Sequence, residues 1–124
     1  MKRILLIDDD QAFLRPLELI LRRAGYEVQT ANNGTVGLRL FRQESADLVI
    51  TDLIMPEKEG LETIMALRQI QPDLKIIAMS GGGRVQAGDY LVVAEQLGAT
   101  RILGKPFTRE ELLEMVGELC PVSE

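Results

Sequence analysis

The chain has 124 residues and a formal net charge of −5, with 46% apolar and 27% charged residues. This length and composition suit one soluble globular domain, and we expect residues 1–124 to form a single domain around one core. The negative charge, without a cluster of Lys and Arg, argues against direct nucleic-acid binding by this segment.

Cysteine usage and hydropathy indicate the compartment. Cys120 is the single cysteine, so an internal disulfide and a multi-cysteine metal site are excluded, and a reducing cytoplasm is expected. No apolar run approaches the ~20 residues of a membrane span. The apolar start at residues 4–7 is interrupted by three aspartates, which favours a buried strand over a signal peptide. We therefore expect a cytoplasmic protein without membrane contact.

Short apolar runs alternate with helical patterns along the whole chain. Strands are predicted at residues 3–7, 27–31, 48–51, 75–79 and 101–103. Helices are predicted between the first two strands, where apolar residues starting with Phe13 recur at helical spacing before Gly25, and at residues 34–43, 59–71, 88–97 and 108–119. The last helix opens on a predicted capping box of Thr108 and Glu111. This alternation favours an α/β fold, a doubly wound five-stranded parallel sheet with helices on both faces.

In such sheets ligands bind beyond the carboxyl ends of the strands, so polar residues there are the first candidates for a site. The first predicted strand ends in Asp8, Asp9 and Asp10, whose carboxylates repel one another unless a cation lies among them. Mg²⁺ takes oxygen ligands from carboxylates, water and phosphate, and this cluster could supply them. The alternative is a solvated turn; in either case Asp10 is expected to cap the following helix.

Three further strand ends carry polar side chains that suit phosphoryl transfer. If the first and third strands are neighbours, Asp52 faces Asp8 and Asp9, and a carboxylate beside a metal can act as a nucleophile toward phosphorus. The alternative is that Asp52 only terminates its strand. The hydroxyl of Ser80 could donate to a phosphoryl oxygen, and the ammonium of Lys105 could neutralise one. Taken singly, these two residues are more typical of a protein surface.

The strand ends share one pattern: Asp8 and Asp9; Asp52, followed by Met55, Pro56 and Gly60; Ser80; and Lys105, Pro106 and Phe107. This pattern resembles the receiver domain of bacterial two-component response regulators over essentially the whole chain. The resemblance implies a flavodoxin-like sheet of strand order 2-1-3-4-5. It also implies a phosphoprotein of phosphorelay signal transduction, not an enzyme, that assists its own phosphorylation and dephosphorylation.

The resemblance assigns a phosphoacceptor and a metal site. Asp52 would receive the phosphoryl group from a sensor histidine kinase or a histidine phosphotransfer protein. Asp9 would ligate Mg²⁺, with Asp8 assisting through water. Asp52 and the backbone carbonyl of Ile54 would complete the protein ligands.

The resemblance also assigns a switch. Lys105 would contact the phosphate, Ser80 would bond it in the active state, and the Lys105–Pro106 bond would be cis, which only X–Pro bonds adopt at low cost. The chain departs from many receivers at Ile102, where an aromatic ring commonly follows the Ser/Thr hydroxyl. An aliphatic side chain has no ring to swing inward, and the three glycines at 81–83 could give the loop freedom to rearrange instead.

The predicted output surface comprises the helix at 88–97, the fifth strand and the last helix, and it would serve a homodimer or an output partner. Tyr90, Leu91, Val92 and Val93 form an apolar run too wide for one buried stripe. The alternative is that all four residues belong to the core.

Two rival functions remain open on the sequence. A haloacid-dehalogenase-like phosphatase would use Asp8 as its nucleophile, with Ser80 and Lys105 as later motifs. That assignment lacks the later acidic motif, has little room for a cap domain, and leaves Asp52 and Pro106 unexplained. A flavodoxin-like nucleotide or flavin binder ranks lower, because the glycine run lacks a Gly-Lys-Ser/Thr ending and few aromatic residues could sandwich a flavin.

Overall fold

A computed structural model describes residues 1–53, 59–80, 96 and 98–122. Its five strands are β1 (Arg3–Ile7), β2 (Glu27–Ala31), β3 (Leu48–Asp52), β4 (Lys75–Ser80) and β5 (Arg101–Gly104). Its helices are α1 (Gln11–Arg23), α2 (Gly34–Gln43), α3 (Glu59–Ile70) and α4 (Arg109–Leu119). The helix predicted at 88–97 lies outside the described residues, apart from the helical Gln96. Within the described part of the chain, every helix is too short or too polar to cross a bilayer.

The strands form one parallel sheet of order β2-β1-β3-β4-β5, which confirms the predicted doubly wound, flavodoxin-like topology. β1 lies between β2 and β3, and Leu6 is level with Thr30 on one side and Ile50 on the other. Strands that run in the same direction and in level register end at the same edge of the sheet. The residues that follow β1 therefore emerge next to the end of β3.

Side chains of β1 divide the core in two. Ile4 and Leu6 join a cluster with apolar residues of α1 and α4, whereas Leu5 and Ile7 join a cluster with residues of α2 and α3. This alternation follows from the two-residue period of a strand. All four side chains are at most 1% exposed, so the central strand is buried on both faces and anchors the edge where the polar residues lie.

Two helices begin at the caps that their sequences predict. The side chain of Asp10 accepts a hydrogen bond from the backbone N–H of Phe13, 3.3 Å away, at the start of α1. Thr108 and Glu111 form a complete capping box at the start of α4, with N–O distances of 3.0 and 2.9 Å. Each cap satisfies N–H groups that the first helical turn leaves without a partner.

Arg68, near the end of α3, binds three backbone carbonyls from two segments. Its guanidinium donates to the carbonyls of Pro72 and Leu74 at 2.6 and 2.7 Å, and also to the carbonyl of Gly98. Gly98 has a positive φ of 88°, a conformation that favours glycine. One planar side chain thus ties the connection between α3 and β4 to the residues that lead into β5.

Candidate functional site

Asp8, Asp9 and Asp52 meet at the carboxyl edge of the sheet. Each offers a carboxylate oxygen, and these oxygens lie within 4.8 Å of one another. Asp8 is completely buried, Asp52 is 6% exposed, and Asp9 is exposed. Buried carboxylates are costly unless opposite charge or hydrogen bonds compensate them. The cluster therefore needs positive charge close by.

Lys105 supplies part of that charge from the end of β5. Its Nζ lies 2.9 Å from Oδ2 of Asp8 and 3.5 Å from Oδ2 of Asp52. The backbone N–H of Lys105 donates to the carbonyl of Ser80 at 2.7 Å, which holds the lysine beside β4. Asp8 also accepts a hydrogen bond from the backbone N–H of Asp10 at 3.0 Å. The ammonium thus bridges the ends of β1 and β3.

An aromatic ring touches the same ammonium. Nζ of Lys105 lies 4.1 Å from the centroid of the Phe13 ring, within the range of a cation–π contact. The Phe107 ring meets Phe13 edge to face, with centroids 5.8 Å apart and planes at 82°. The Lys105 side chain is 20% exposed, so the ammonium is largely enclosed by two carboxylates and one ring.

Ser80 is the last residue of β4, one position beyond Met79, which pairs with Asp52 in the sheet. Ser80 is 1% exposed, and among the described residues its Oγ has no hydrogen-bond partner. Leaving a buried hydroxyl unpaired costs about 1–3 kcal/mol. A ligand oxygen at this edge of the sheet would remove that cost.

The pKa of the Asp9 carboxyl is raised above its usual value. Desolvation contributes most, followed by a side-chain hydrogen bond with Asp8 and repulsion from the Asp8 carboxylate. When all three carboxylates are ionised, the ammonium of Lys105 leaves a negative excess among the described residues of the cluster. Three carboxylates with such an excess are the oxygen donor set that a hard divalent cation such as Mg²⁺ prefers, so the residues present fit this ion.

The remaining predicted site residues are placed as follows. The Lys105–Pro106 bond is cis. Ile102 is partly buried against the cluster that contains Leu5 and Ile7. Ile54, the glycines at 81–83 and the apolar run at 90–93 lie outside the described residues.

Gly60, part of the sequence pattern after Asp52, lies close to the backbone that leaves β3. A Cβ atom at Gly60 would collide with the carbonyl oxygens of Asp52 and Leu53. The absence of a side chain here therefore lets α3 begin directly against the end of β3. The sequence did not predict this role of Gly60. It also did not predict the contact between Phe13 and Lys105.

Comparisons with known proteins agree with this architecture. The family model described as response regulator receiver domain matches residues 4–117. The DNA-binding transcriptional regulator NtrC of Azospirillum brasilense is 39% identical over 113 residues, which are 91% of this chain and 23% of NtrC. This chain thus spans about a quarter of the length of that regulator. The response regulator receiver protein CpdR of Brucella abortus is 33% identical over 119 residues, covering 96% of this chain and 97% of CpdR.

A solved structure extends the likeness to the three-dimensional fold. The response regulator protein TrrA of Thermotoga maritima, in complex with Mg²⁺-BeF, superposes with a TM-score of 0.82. The two chains are 34% identical, and the match covers 96% of this chain and 99% of TrrA.

Proposed function

The chain belongs to the response regulator receiver domain family, and we propose that it accepts a phosphoryl group on Asp52 with the help of Mg²⁺. The donor is a sensor histidine kinase or a histidine phosphotransfer protein in the cytoplasm, and residues 1–124 form one receiver domain. Its relatives are signalling regulators, consistent with two-component signalling. The observation that carries the proposal is the meeting of Asp8, Asp9 and Asp52 within 4.8 Å, beside Lys105.

Asp52 acts as the nucleophile in the proposed reaction. A carboxylate oxygen of Asp52 attacks phosphorus and forms a new P–O bond, while the bond between phosphorus and the donor atom breaks. The electron pair of the broken bond leaves with the donor, which takes up a proton from solvent. Lys105, 3.5 Å from Asp52, lies where it can neutralise charge on the transferring oxygens.

Asp8, Asp9 and Asp52 would hold the Mg²⁺ ion, with the carbonyl of Ile54, outside the described residues, as a further proposed ligand. When bound, the ion neutralises negative charge on the phosphoryl oxygens and on the carboxylates. Asp8, directly after β1, and Asp52, the last residue of β3, are both buried, which supports a preformed set of ligands.

Ser80 is the proposed hydroxyl partner of the phosphorylated state. Its Oγ is buried and lacks a hydrogen-bond partner among the described residues. It can therefore donate to a phosphoryl oxygen without giving up a hydrogen bond to any of those residues. Later attack of water on phosphorus would break the bond to Asp52 and release phosphate. The phosphorylated chain therefore has a finite lifetime, and the domain returns to its starting state.

The proposed output surface comprises β5, α4 and residues 88–97, and it binds a second copy of the chain or an output partner. β5 and α4 are joined at the surface by an ion pair of 2.8 Å between Arg101 and Glu118, both about half exposed. Residues 88–97 lie outside the described residues, apart from Gln96.

Labelling with acetyl phosphate tests the proposal. With Mg²⁺ present, intact mass spectrometry should show one added phosphoryl group per chain, and Asp52→Asn and chelation of the metal should each abolish it. Asp73→Asn is the matched control, because Asp73 is an exposed aspartate just before β4, at the amino ends of the strands and away from the acidic cluster. Full labelling of Asp52→Asn would overturn the proposal. Continuous turnover of a phosphatase substrate that is lost in Asp8→Asn would favour the phosphatase instead.

A further inference from the structure

We propose that Phe13 is a positioning residue for Lys105, whose ring face keeps the lysine ammonium within reach of Asp52. The inference rests on the proposed function of Asp52 as phosphoacceptor. It adds an aromatic contact to the charged and hydroxyl groups already placed at the site.

The contact is specific in its geometry. Nζ of Lys105 is 4.1 Å from the centroid of the Phe13 ring, and favourable cation–π pairs lie within about 6 Å. Contacts of both the ring and the backbone fix the position of Phe13. Its edge-to-face contact with Phe107 fixes the side chain, and the backbone N–H of Phe13 is bonded to the carbonyl and the side chain of Asp10.

The ring matters because the other partners of Lys105 have a second task. Asp8, 2.9 Å from Nζ, is also a proposed metal ligand, and a dication bound there competes with the ammonium for the same carboxylate. Lysine has a flexible four-carbon stem and would gain freedom when that pair weakens. The neutral ring does not compete for the metal. It therefore keeps the ammonium close to Asp52 when Asp8 is engaged.

A purely structural role for Phe13 makes different predictions. Phe13 packs against the cluster that contains Ile4 and Leu6, so its loss also weakens the core. Phe41→Leu is the matched control for that effect. Phe41 is buried on α2 in the other cluster, and its replacement removes an aromatic ring from the core without touching Lys105.

The first measurement is proton NMR of the metal-free protein. A methylene group next to an ammonium that lies over a ring face is shifted upfield by the ring current. The Hε protons of Lys105 should show this shift in the wild type, in Phe13→Tyr and in Phe41→Leu, and should lose it in Phe13→Leu. An unshifted Hε signal in the wild type would overturn the contact itself.

The second measurement is the rate of labelling by acetyl phosphate at saturating Mg²⁺. Phe13→Leu should slow labelling by about threefold to tenfold with the Kd for Mg²⁺ unchanged. Phe13→Tyr should restore the rate, because it retains a ring. Pentafluorophenylalanine at position 13 keeps a ring but reverses the partial charge of the ring face. It should slow labelling by the same factor as Phe13→Leu, and it provides the test if Phe13→Leu fails to fold.

Wild-type labelling rates in both Phe13→Leu and the pentafluoro variant would overturn the positioning role, as would equal slowing by Phe41→Leu. Absence of labelling in the wild type would instead overturn the proposed function of Asp52. The NMR measurement in the metal-free protein distinguishes these two failures.

Discussion

The ammonium of Lys105 lies 2.9 Å from the carboxylate of Asp8, whose side chain is 1% exposed. The distance from the same ammonium to Asp52 is longer, at 3.5 Å. In the metal-free state, therefore, the lysine neutralises a proposed metal ligand more closely than the proposed phosphoacceptor. If Mg²⁺ binds this cluster as proposed, it competes with the lysine for the same carboxylates.

Lys105→Met should consequently tighten Mg²⁺ binding while slowing phosphorylation. Removing one positive charge from the cluster should lower the Kd for Mg²⁺ by roughly tenfold. Titration calorimetry measures the Kd, and acetyl phosphate labelling measures the rate. Lys75→Met is the control, because Lys75 is an exposed lysine at the start of β4, and the change of net charge is the same. An unchanged Kd in Lys105→Met would contradict the competition.

Asp9→Asn should stabilise the metal-free domain at neutral pH. The pKa of Asp9 is raised, first by desolvation and then by Asp8, so the folded chain holds this proton more tightly than the unfolded chain. That contribution to stability is complete below the unfolded pKa and is lost as pH rises through the folded pKa. Asparagine has no carboxyl proton to lose and stays neutral at both pH values. The gain in unfolding free energy from Asp9→Asn should therefore be larger at about pH 7 than at about pH 3.

Urea denaturation at the two pH values measures this difference, with Asp73→Asn as the neutral control. Adding Mg²⁺ should stabilise the wild type more than Asp9→Asn, because the variant lacks one proposed ligand. Equal stabilisation of both proteins by Mg²⁺ would speak against Asp9 as a ligand.

Gly60→Ala and Gly117→Ala should change stability in opposite directions. A Cβ at Gly60 would collide with the carbonyl oxygens of Asp52 and Leu53, so Gly60→Ala should destabilise by roughly 2 kcal/mol and slow labelling of Asp52. Gly117 is exposed within α4 with open space around it, so Gly117→Ala should stabilise by about 0.5–1 kcal/mol and leave labelling unchanged. Denaturant titrations measure both changes in the free energy of unfolding. An unchanged free energy of unfolding in Gly60→Ala would mean that the backbone relaxes around the methyl group.

Tyr26→Phe should destabilise the domain near neutral pH and should reduce the loss of folding stability at alkaline pH. The buried hydroxyl of Tyr26 donates to the carbonyl of Cys120 at 2.6 Å, and leaving that carbonyl unpaired costs about 1–3 kcal/mol. Desolvation, and then repulsion from Cys120, raises the pKa of Tyr26. The folded state therefore loses stability once the pH rises above the pKa of the unfolded tyrosine.

Denaturation at about pH 8 and about pH 10.5 separates the two effects of Tyr26→Phe. The variant should be less stable than the wild type at the lower pH, and the gap should narrow at the higher pH. A gap of the same size at both values would mean that ionisation of Tyr26 contributes nothing to the alkaline loss.

Hydrophobic patterning predicted the five strands, and the resemblance to receiver domains implied their order, but the ends of the last three strands were predicted one residue too early. The third, fourth and fifth strands were predicted at 48–51, 75–79 and 101–103, and each is one residue longer in the structure, ending at Asp52, Ser80 and Gly104. The reason is that backbone pairing continues after the apolar pattern stops. Asp52 still pairs with Met79, and Ser80 with Gly104. Asp52 and Ser80 are thus held by the sheet itself.

The sequence indicated which side chains gather at the edge, because level parallel strands bring their ends together. It could not indicate how those side chains pair. Phe13 was predicted only as part of the apolar stripe of the first helix, yet its ring faces Lys105. That contact depends on the rotation of α1 relative to the end of β5, and helical periodicity carries no information about the neighbours on another element.

The ion pair of Lys105 and Asp8 joins residues 97 positions apart, and Asp52 lies between them in the sequence. A chain that has lost its sheet, or has not yet finished it, has no such cluster. Any ligand that needs all of these groups therefore binds only the folded domain and shifts the folding equilibrium toward it. The proposed phosphorylation is in this way tied to completed folding, and a copy without its sheet should not take up the phosphoryl group.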